Sequence, residues 1–324
     1  VQKPTLHKTD VSRSTLLFGD CLIESDKIET GSVDLILTDL PYGTVKDIRS
    51  SPASKTTGLQ VCEWDVVIPT EKIMELANRI LRKNGKMILF CQDPFSTELK
   101  NKAIPNLPFN YSMIWEKDHF ANCLLAKKAP LNYFEDILIF SKKACYEAKH
   151  PLKAIFFEIY EKHGKEKCLN AIRTSGRFSS EQSVNFHTSI KFGYGEGMVF
   201  ELMVEELFNH CKRTIDIPFE YSYLKEIDEQ YKKEYASTFN LWEGNKYKSN
   251  ILKYKKDYNG YHPTQKPILL LEDLIKTFSN ENDLVVDLTM GSGSTGVACK
   301  NTNRNFIGIE KDENYYNVAV RRCS

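Results

Sequence analysis

The chain carries almost no net charge: 44 Lys and Arg stand against 43 Asp and Glu, leaving +1 over 324 residues. No whole-chain field announces a nucleic-acid partner, so any nucleic-acid surface must gather its cations on one face. No Cys-x-x-Cys occurs among the nine cysteines, and no neighbouring His pair suggests zinc. A metal site is therefore not expected, and the odd cysteine count fits reduced thiols in a cytosol. No apolar run approaches the roughly 20 residues needed to span a bilayer, and the first residues lack a signal-peptide core. The expectation is a cytoplasmic protein. Internal repeats and low-complexity tracts are also missing.

What is there is ordinary for a globular chain: 41% hydrophobic and 27% charged residues. The length holds one large α/β domain plus an insertion, or two domains. The apolar run Val33-Asp34-Leu35-Ile36-Leu37-Thr38 predicts a buried parallel strand, and Asp39-Leu40-Pro41-Tyr42 closes it. The C-terminal end of such a strand is the edge where open α/β sheets bind ligands. An acid there can accept a hydrogen bond from an exocyclic amine, the Pro-fixed carbonyl of Leu40 can accept a second, and the ring of Tyr42 can stack on a planar base. Those are the parts needed to hold an aromatic amine while its nitrogen attacks an electrophilic methyl group. The same tetrapeptide also suits a plain strand-to-loop turn.

Elsewhere, strands are predicted at 15–18, 86–90, 111–115 and 136–140, with a helix over 70–82. This alternation predicts parallel strands with crossover helices. The polar stretch 44–60 carries Lys46, Arg49 and Lys55, which could meet phosphates over the site or be merely solvated. From about 145 to 254 the character changes. Leu152, Ile155, Phe156 and Ile159 mark one helix, Cys168, Leu169 and Ile172 another; the Ser/Thr-rich stretch from Gly176 to Thr188 breaks the pattern, and a later helix carries Val199, Leu202, Met203 and Leu207. This reads as a mainly helical insertion outside the sheet.

After it, His262-Pro263-Thr264-Gln265-Lys266-Pro267 leads into a helix, with Pro267 suited to the first turn. A strand over 283–287 ends in Asp287-Leu288-Thr289-Met290-Gly291-Ser292-Gly293-Ser294-Thr295-Gly296, a helix follows, and the next strand, 305–309, is capped by Glu310. Strand, Gly-rich turn, helix, strand, acid is the nucleotide-binding βαβ arrangement. Glu310 stands about where an acid would bond two ribose hydroxyls. No Walker lysine follows the glycines, so a P-loop is not expected.

Asp39 to Tyr42, His262 to Pro267 and Asp287 to Gly296, in that order, resemble the motifs of the amino-methyltransferases that act on DNA bases. The order resembles the β subgroup, whose sheet is circularly permuted. The resemblance covers residues 14–145 and 256–324. It implies an α/β fold: a Rossmann-like methyltransferase sheet, mostly parallel with seven strands, and a helical insertion. It divides the chain into a catalytic half (1–145), an insertion acting as target recognition region (146–255) and a cofactor-binding half (256–324).

The resemblance also implies S-adenosylmethionine as cofactor. Asp287, Gly291, Ser292 and Gly293 would lie along its methionine part, Glu310 at the ribose, Asp20 and Cys21 at the adenine, and Thr264 and Lys266 near the carboxylate. Two departures stand out. The family usually has Pro-Pro inside the tetrapeptide where this chain has Leu40-Pro41, and Pro-Phe after the cofactor acid where this chain has Leu288-Thr289. Phe306 is the candidate for the missing ring. The implied activity is methylation of adenine N6 in double-stranded DNA by base flipping, in a bacterial or phage-infected cell, with or without a restriction partner. Asp39, Leu40, Pro41 and Tyr42 would be catalytic; Arg173, Arg177 and Lys191 would meet DNA, or simply sit in solvent. Cytosine N4 is the alternative base. A non-catalytic DNA-binding module and an RNA or protein methylase are the rivals from other classes. Dimers are common in the subgroup.

Overall fold

The computed structural model describes residues 14–41, 66–121, 126–143, 150–194, 200–235, 237–257, 261 and 265–324. The chain divides into two compact units, Val1–Lys143 with Ser237–Ser324, and Ala144–Ala236.

The first unit is built on an eight-stranded sheet among the described residues. Its strands are β1 (Ser14–Phe18), β2 (Val33–Asp39), β3 (Leu81–Cys91), β4 (Phe109–Ala121), β5 (Asn132–Ser141), β6 (Ile251–Lys253), β7 (Leu284–Asp287) and β8 (Asn305–Glu310). They lie in the order β1-β8-β7-β2-β3-β5-β4-β6. β5 pairs antiparallel with both neighbours, and every other pairing is parallel. The expected run of parallel crossovers therefore stops at β3, because β4 and β5 form an antiparallel pair. The sheet also has eight strands rather than seven, since the short β6 adds to β4.

Both faces of the sheet are buried, which explains the near-continuous apolar runs. On one face Ile36, Met87, Leu89, Leu138 and Val286 pack under helix α2 (Thr70–Ile80), with Ile73, Ala77 and Ile80 facing in. On the other, Leu35, Leu37, Ile88, Phe90, Ile137 and Val285 pack under α9 (Ile268–Phe278) and α10 (Ser294–Asn301). From β2 the chain proceeds through α2 to β3; from β7 it proceeds through α10 to β8, in the opposite direction along the sheet. The gap between the ends of β2 and β7 is thus the topological switch point, where such sheets bind ligands.

The second unit is helical and has its own core. It comprises α4 (Pro151–His163), α5 (Lys165–Arg173), α6 (Glu181–Phe192), α7 (Glu205–Lys212) and α8 (Tyr221–Tyr235). Leu152, Phe156, Cys168, Ile172, Phe192, Phe208 and Leu224 are all fully buried in it. Two expectations need correction. The Ser/Thr-rich stretch breaks the pattern only as far as Ser180, which caps α6 through a bond from Ser183 N at 3.2 Å; from Glu181 to Thr188 the chain is helical. Leu202 and Met203 are buried but precede α7, while Val199 lies outside the described residues.

The insertion was also expected to run to 255, yet residues 237–255 belong with the sheet. Their Tyr and Lys content has a specific use. Trp242 Nε1 (2.9 Å), Lys248 Nζ (2.5 Å) and Tyr254 OH (3.0 Å) all bond the buried Asp273 carboxylate of α9.

Candidate active site

One cavity of about 390 Å³ joins the ends of β2 and β7. It falls in the range of small-molecule sites. Gly19, Asp20, Cys21, Glu310 and Tyr315 line one end; Trp115, Lys117, His119 and Phe120 line the other; Asp39, Lys266 and the glycine turn lie on its wall.

The two halves of the site are stitched by threonines. Thr38 Oγ1 donates to Asp287 Oδ1 at 2.8 Å, and Thr289 Oγ1 donates to the Asp39 carbonyl at 2.9 Å. Residues 250 apart in the chain thus meet side by side. Asp287, buried and pushed up in pKa by burial, also accepts from Thr295 Oγ1 (2.6 Å) and Thr289 N (3.1 Å). Three donors of the chain hold this carboxylate, so its evident work is to fasten the turn to β2.

The turn is shaped by Gly291 (φ 51°) and Gly293 (φ 81°), both left-handed. A Cβ on Gly293 would also stand 3.0 Å from Ala319 Cβ. Glu310 accepts from Gly291 N (2.9 Å) and Asp312 N (2.8 Å), while burial raises its pKa. A carboxylate accepts more than two hydrogen bonds, so Glu310 keeps accepting capacity toward the cavity it lines. Ser292 was expected at the cofactor. Its carbonyl and hydroxyl accept from Arg322 Nη1 at 2.7 and 2.8 Å. Arg322 lies in α11 (Glu313–Cys323) and stands 4.6 Å from the Tyr261 ring. No sequence signal pointed to it.

At the far wall, Asp20 caps the short α1 (Cys21–Glu24) by accepting from Leu22 N at 2.8 Å. Burial pushes the Cys21 thiol up to about 12, so it stays protonated. Phe306 does not line the cavity. It is packed beneath α10, where Cβ atoms on Gly296 or Gly308 would strike it. The rings that do line the cavity include Phe90, Trp115, Phe120 and Tyr315.

Asp39 sits at the centre. Burial raises its pKa to about 6, against the lowering influence of Lys266. Its Oδ2 accepts from Lys266 Nζ at 2.5 Å, while Oδ1 is buried with no hydrogen-bond partner among the described residues. Lys266, expected at a cofactor carboxylate, is thus paired with the catalytic-motif acid and also lies 3.0 Å from Glu135 Oε1. Leu40 is buried and Pro41 partly buried at the cavity wall. Gln265, adjacent to Lys266 and overlooked in the sequence, has both ends of its buried carboxamide unpartnered among the described residues. It lines the same cavity.

Tyr42, Thr264, Lys46, Arg49 and Lys55 lie outside the described residues. Arg173 and Arg177 are exposed in the helical unit, paired with Glu181 (2.6 Å) and Glu206 (3.1 Å). Lys191 is a correction: it is buried, with its ammonium 2.8 Å from Glu201 and bonded to the Leu202 carbonyl, because α6 turns that side inward. It does not fit a DNA contact. Among the described residues no cluster of acids, His and Cys could hold a metal, and no helix is long and apolar enough to cross a membrane.

A doubly wound sheet with a glycine turn, a buried acid ending the next strand and a second acid across the switch point, all on one cavity, defines a Rossmann-like protein of the nucleotide-cofactor class. The chain belongs to the DNA methylase family of N6 and N4 methyltransferases, whose profile matches residues 33–321. It is similar to the DNA adenine methyltransferase YhdJ of Escherichia coli, 25% identical over 308 residues, covering 95% of this chain and 82% of that one. The type II methyltransferase M.HindIII of Haemophilus influenzae is 43% identical over 86 residues, 26% of this chain and 28% of the relative. That match and others like it are local, spanning under a third of those relatives. Among solved structures, the cytosine-N4-specific PvuII DNA methyltransferase shares the fold at TM-score 0.55 and 13% identity, covering 96% of this chain and 86% of that one. The M1.HpyAVI–SAM complex does so at 0.50 and 18%, covering 96% and 100%.

The cavity fits the family's cofactor on its own terms. Left-handed Gly291 brings the turn's backbone to the cavity wall, and the Glu310 carboxylate lines the same cavity; Gly293, expected at the cofactor, does not line it and instead lets the turn pack on Ala319 and Cys323 of α11.

Proposed function

We propose that the protein transfers a methyl group from S-adenosylmethionine to adenine N6 in double-stranded DNA. The observation that carries this reading is the buried Oδ1 of Asp39, without a partner among the described residues, on the same cavity as the glycine turn. A buried polar atom left without a partner costs about 1–3 kcal/mol, and an incoming amine hydrogen would relieve that cost. When bound, the cofactor supplies an electrophilic methyl group on a sulfonium.

The chain's own work is positioning. Asp39 Oδ1 and the Leu40 carbonyl accept the two amine hydrogens, drawing the nitrogen lone pair out of conjugation. As the nitrogen gains a methyl group it loses a proton, and Asp39 is the adjacent base. Tyr42 supplies the stacking face. The target base leaves the duplex stack at a cost of a few kcal/mol. Gln265 Nε2 is a donor without a partner among the described residues, and an adenine ring nitrogen is the acceptor that would match it. The acid at position 39, and the naming of YhdJ as an adenine enzyme, favour adenine over cytosine.

The test is nucleoside mass spectrometry of DNA treated with the protein and cofactor. N6-methyladenine is expected, and methylcytosine alone would overturn the base assignment. Asp39→Ala should abolish methylation with cofactor binding intact; continued turnover would reject the mechanism.

We infer further that the helical unit selects the target site. Its separate core and its exposed Arg173 and Arg177 support this. Lys86 Nζ bonds both Ser141 Oγ (3.3 Å) and Ser237 Oγ (2.6 Å), so the flanks of the unit meet. Removing Ala144–Ala236 and rejoining the flanks should erase site preference. The reading also includes a cytoplasmic location and a homodimer. Light scattering that returns the monomer mass of 37.3 kDa would remove the dimer.

A further inference from the structure

A chain of alternating charges crosses the sheet along the cavity wall. Asp39 ends β2 and is paired in register with Phe90 of β3; Phe90 is paired with Ile137 of β5. Glu135 lies two residues before Ile137, on the same face, opposite Trp115 of β4. The Lys266 ammonium sits 5.0 Å from the Phe90 ring centre and bridges Asp39 Oδ2 (2.5 Å) to Glu135 Oε1 (3.0 Å). Lys117 Nζ lies 3.0 Å from Glu135 Oε2 and 5.0 Å from the Trp115 ring centre. The inner members are almost sealed, with side-chain exposures of 5% for Glu135 and 7% for Lys266.

A buried carboxylate and a buried ammonium, with the part-buried Asp39 beside them, are costly to desolvate, and apolar residues of similar volume would fill the space more cheaply. The expense is concentrated at one spot, the fixed oxygen of Asp39. Lys266 occupies Oδ2 alone, and Oδ1 is the atom without a partner. Among the described residues, Glu135 is the carboxylate that draws the ammonium away from Asp39, and so keeps it off the second oxygen.

We propose that Glu135, backed by Lys117, is a positioning residue for methyl transfer. It tethers the Lys266 ammonium across the Phe90 ring, so that Lys266 fixes one oxygen of Asp39 and leaves the other open to the substrate amine. This rests on the methyl-transfer reading above. The groups facing Asp39 are Lys266 from the segment before α9, Glu135 from β5 with Lys117 of β4 behind it, and Asp287 from β7; Lys256 faces Lys117, Lys266 and Glu135. The negative charge of Glu135 raises the Asp39 pKa, so it also sets where the acid limb of activity falls.

The test compares wild type, Glu135→Gln, Glu135→Asp and Lys117→Met by kcat, KM for the cofactor, and the pH profile of kcat/KM. For Glu135→Gln, kcat should fall by about 10- to 100-fold, as expected for a misplaced reactive group, with KM for the cofactor held within about twofold. Its acid limb should move to lower pH, because a raising charge has gone. Glu135→Asp should recover part of both.

Lys117→Met should move the limb the opposite way, since Glu135 loses its outer cation and bears more heavily on Asp39. It probes the same chain from its outer end if Glu135→Gln does not fold. A purely structural Glu135 would lower Tm and leave kcat and the limb unmoved, and that result would overturn the proposal. Wild-type methylation with an inactive Asp39→Ala and unaffected Glu135 and Lys117 variants would sink the positioning role alone. A wild type that binds cofactor and methylates no DNA would sink the functional reading, and this inference with it.

Discussion

Arg322 and Gly308 show how single residues hold the glycine turn from behind. Arg322 Nη1 reaches the Ser292 carbonyl, the Ser292 hydroxyl and, at 3.3 Å, Ser294 Oγ. Arg322→Met keeps the stem and removes every one of these bonds. The turn then loses its charge-assisted anchor, worth about 1.5–3 kcal/mol. Cofactor affinity should weaken by about tenfold or more, read by isothermal titration; unchanged affinity would show that the glycines alone set the turn. Gly308 in β8 has no such bonds, but a Cβ there would strike Met290 Sδ and stand 2.7 Å from the Phe306 ring. These are core atoms with little room to yield. Gly308→Ala should therefore destabilise by about 1–3 kcal/mol through overpacking, seen as a lower denaturation midpoint with an unchanged m-value.

Between elements, the decisive contact is β2 against β7. Only two residue pairs register these strands as a ladder, Leu35 with Val285 and Ile36 with Val286. Beyond them the strand ends splay into the cavity, and Thr38, Asp287 and Thr289 close the gap. Thr289→Val conserves shape and removes the donor to the Asp39 carbonyl. It should cost about 1 kcal/mol of stability and lower kcat more than it raises KM for the cofactor. A rise in KM alone would mean that Thr289 serves the cofactor side only.

The strands themselves were legible because β2, β3 and β7 are buried on both faces and read as apolar runs. Asp39, the glycine turn and Glu310 were legible because strand ends and turns write their chemistry locally. Strand direction leaves no such mark, so the antiparallel β5 was not foreseen. Nor were the partner Glu135 of Lys266 and the Lys117 behind it, which come together only through the sheet order β2-β3-β5-β4 that no spacing along the chain encodes. β6 escaped notice because three residues of an edge strand, one of them buried, carry no period.

At the scale of the whole molecule, the near-zero net charge and the two-unit division make one demand together. If DNA is the substrate, its phosphates must find cations that the charge balance hides. In the helical unit Arg173 and Arg177 are exposed but already matched, by Glu181 and Glu206. Exposed pairs of this kind contribute little to stability and are screened by salt, so giving up a carboxylate for a phosphate is cheap. Lys191, buried and paired with the exposed Glu201, has no such freedom.

The three cations should therefore separate cleanly under mutation. Arg173→Gln with Arg177→Gln should weaken DNA binding at every sequence tested. It should also flatten the dependence of log K on log salt by about 2, one for each lost phosphate contact, while Tm stays near wild type. Lys191→Met should do the reverse, shifting Tm and leaving the salt slope alone. A double arginine variant with the wild-type slope would move the DNA-facing surface off this unit.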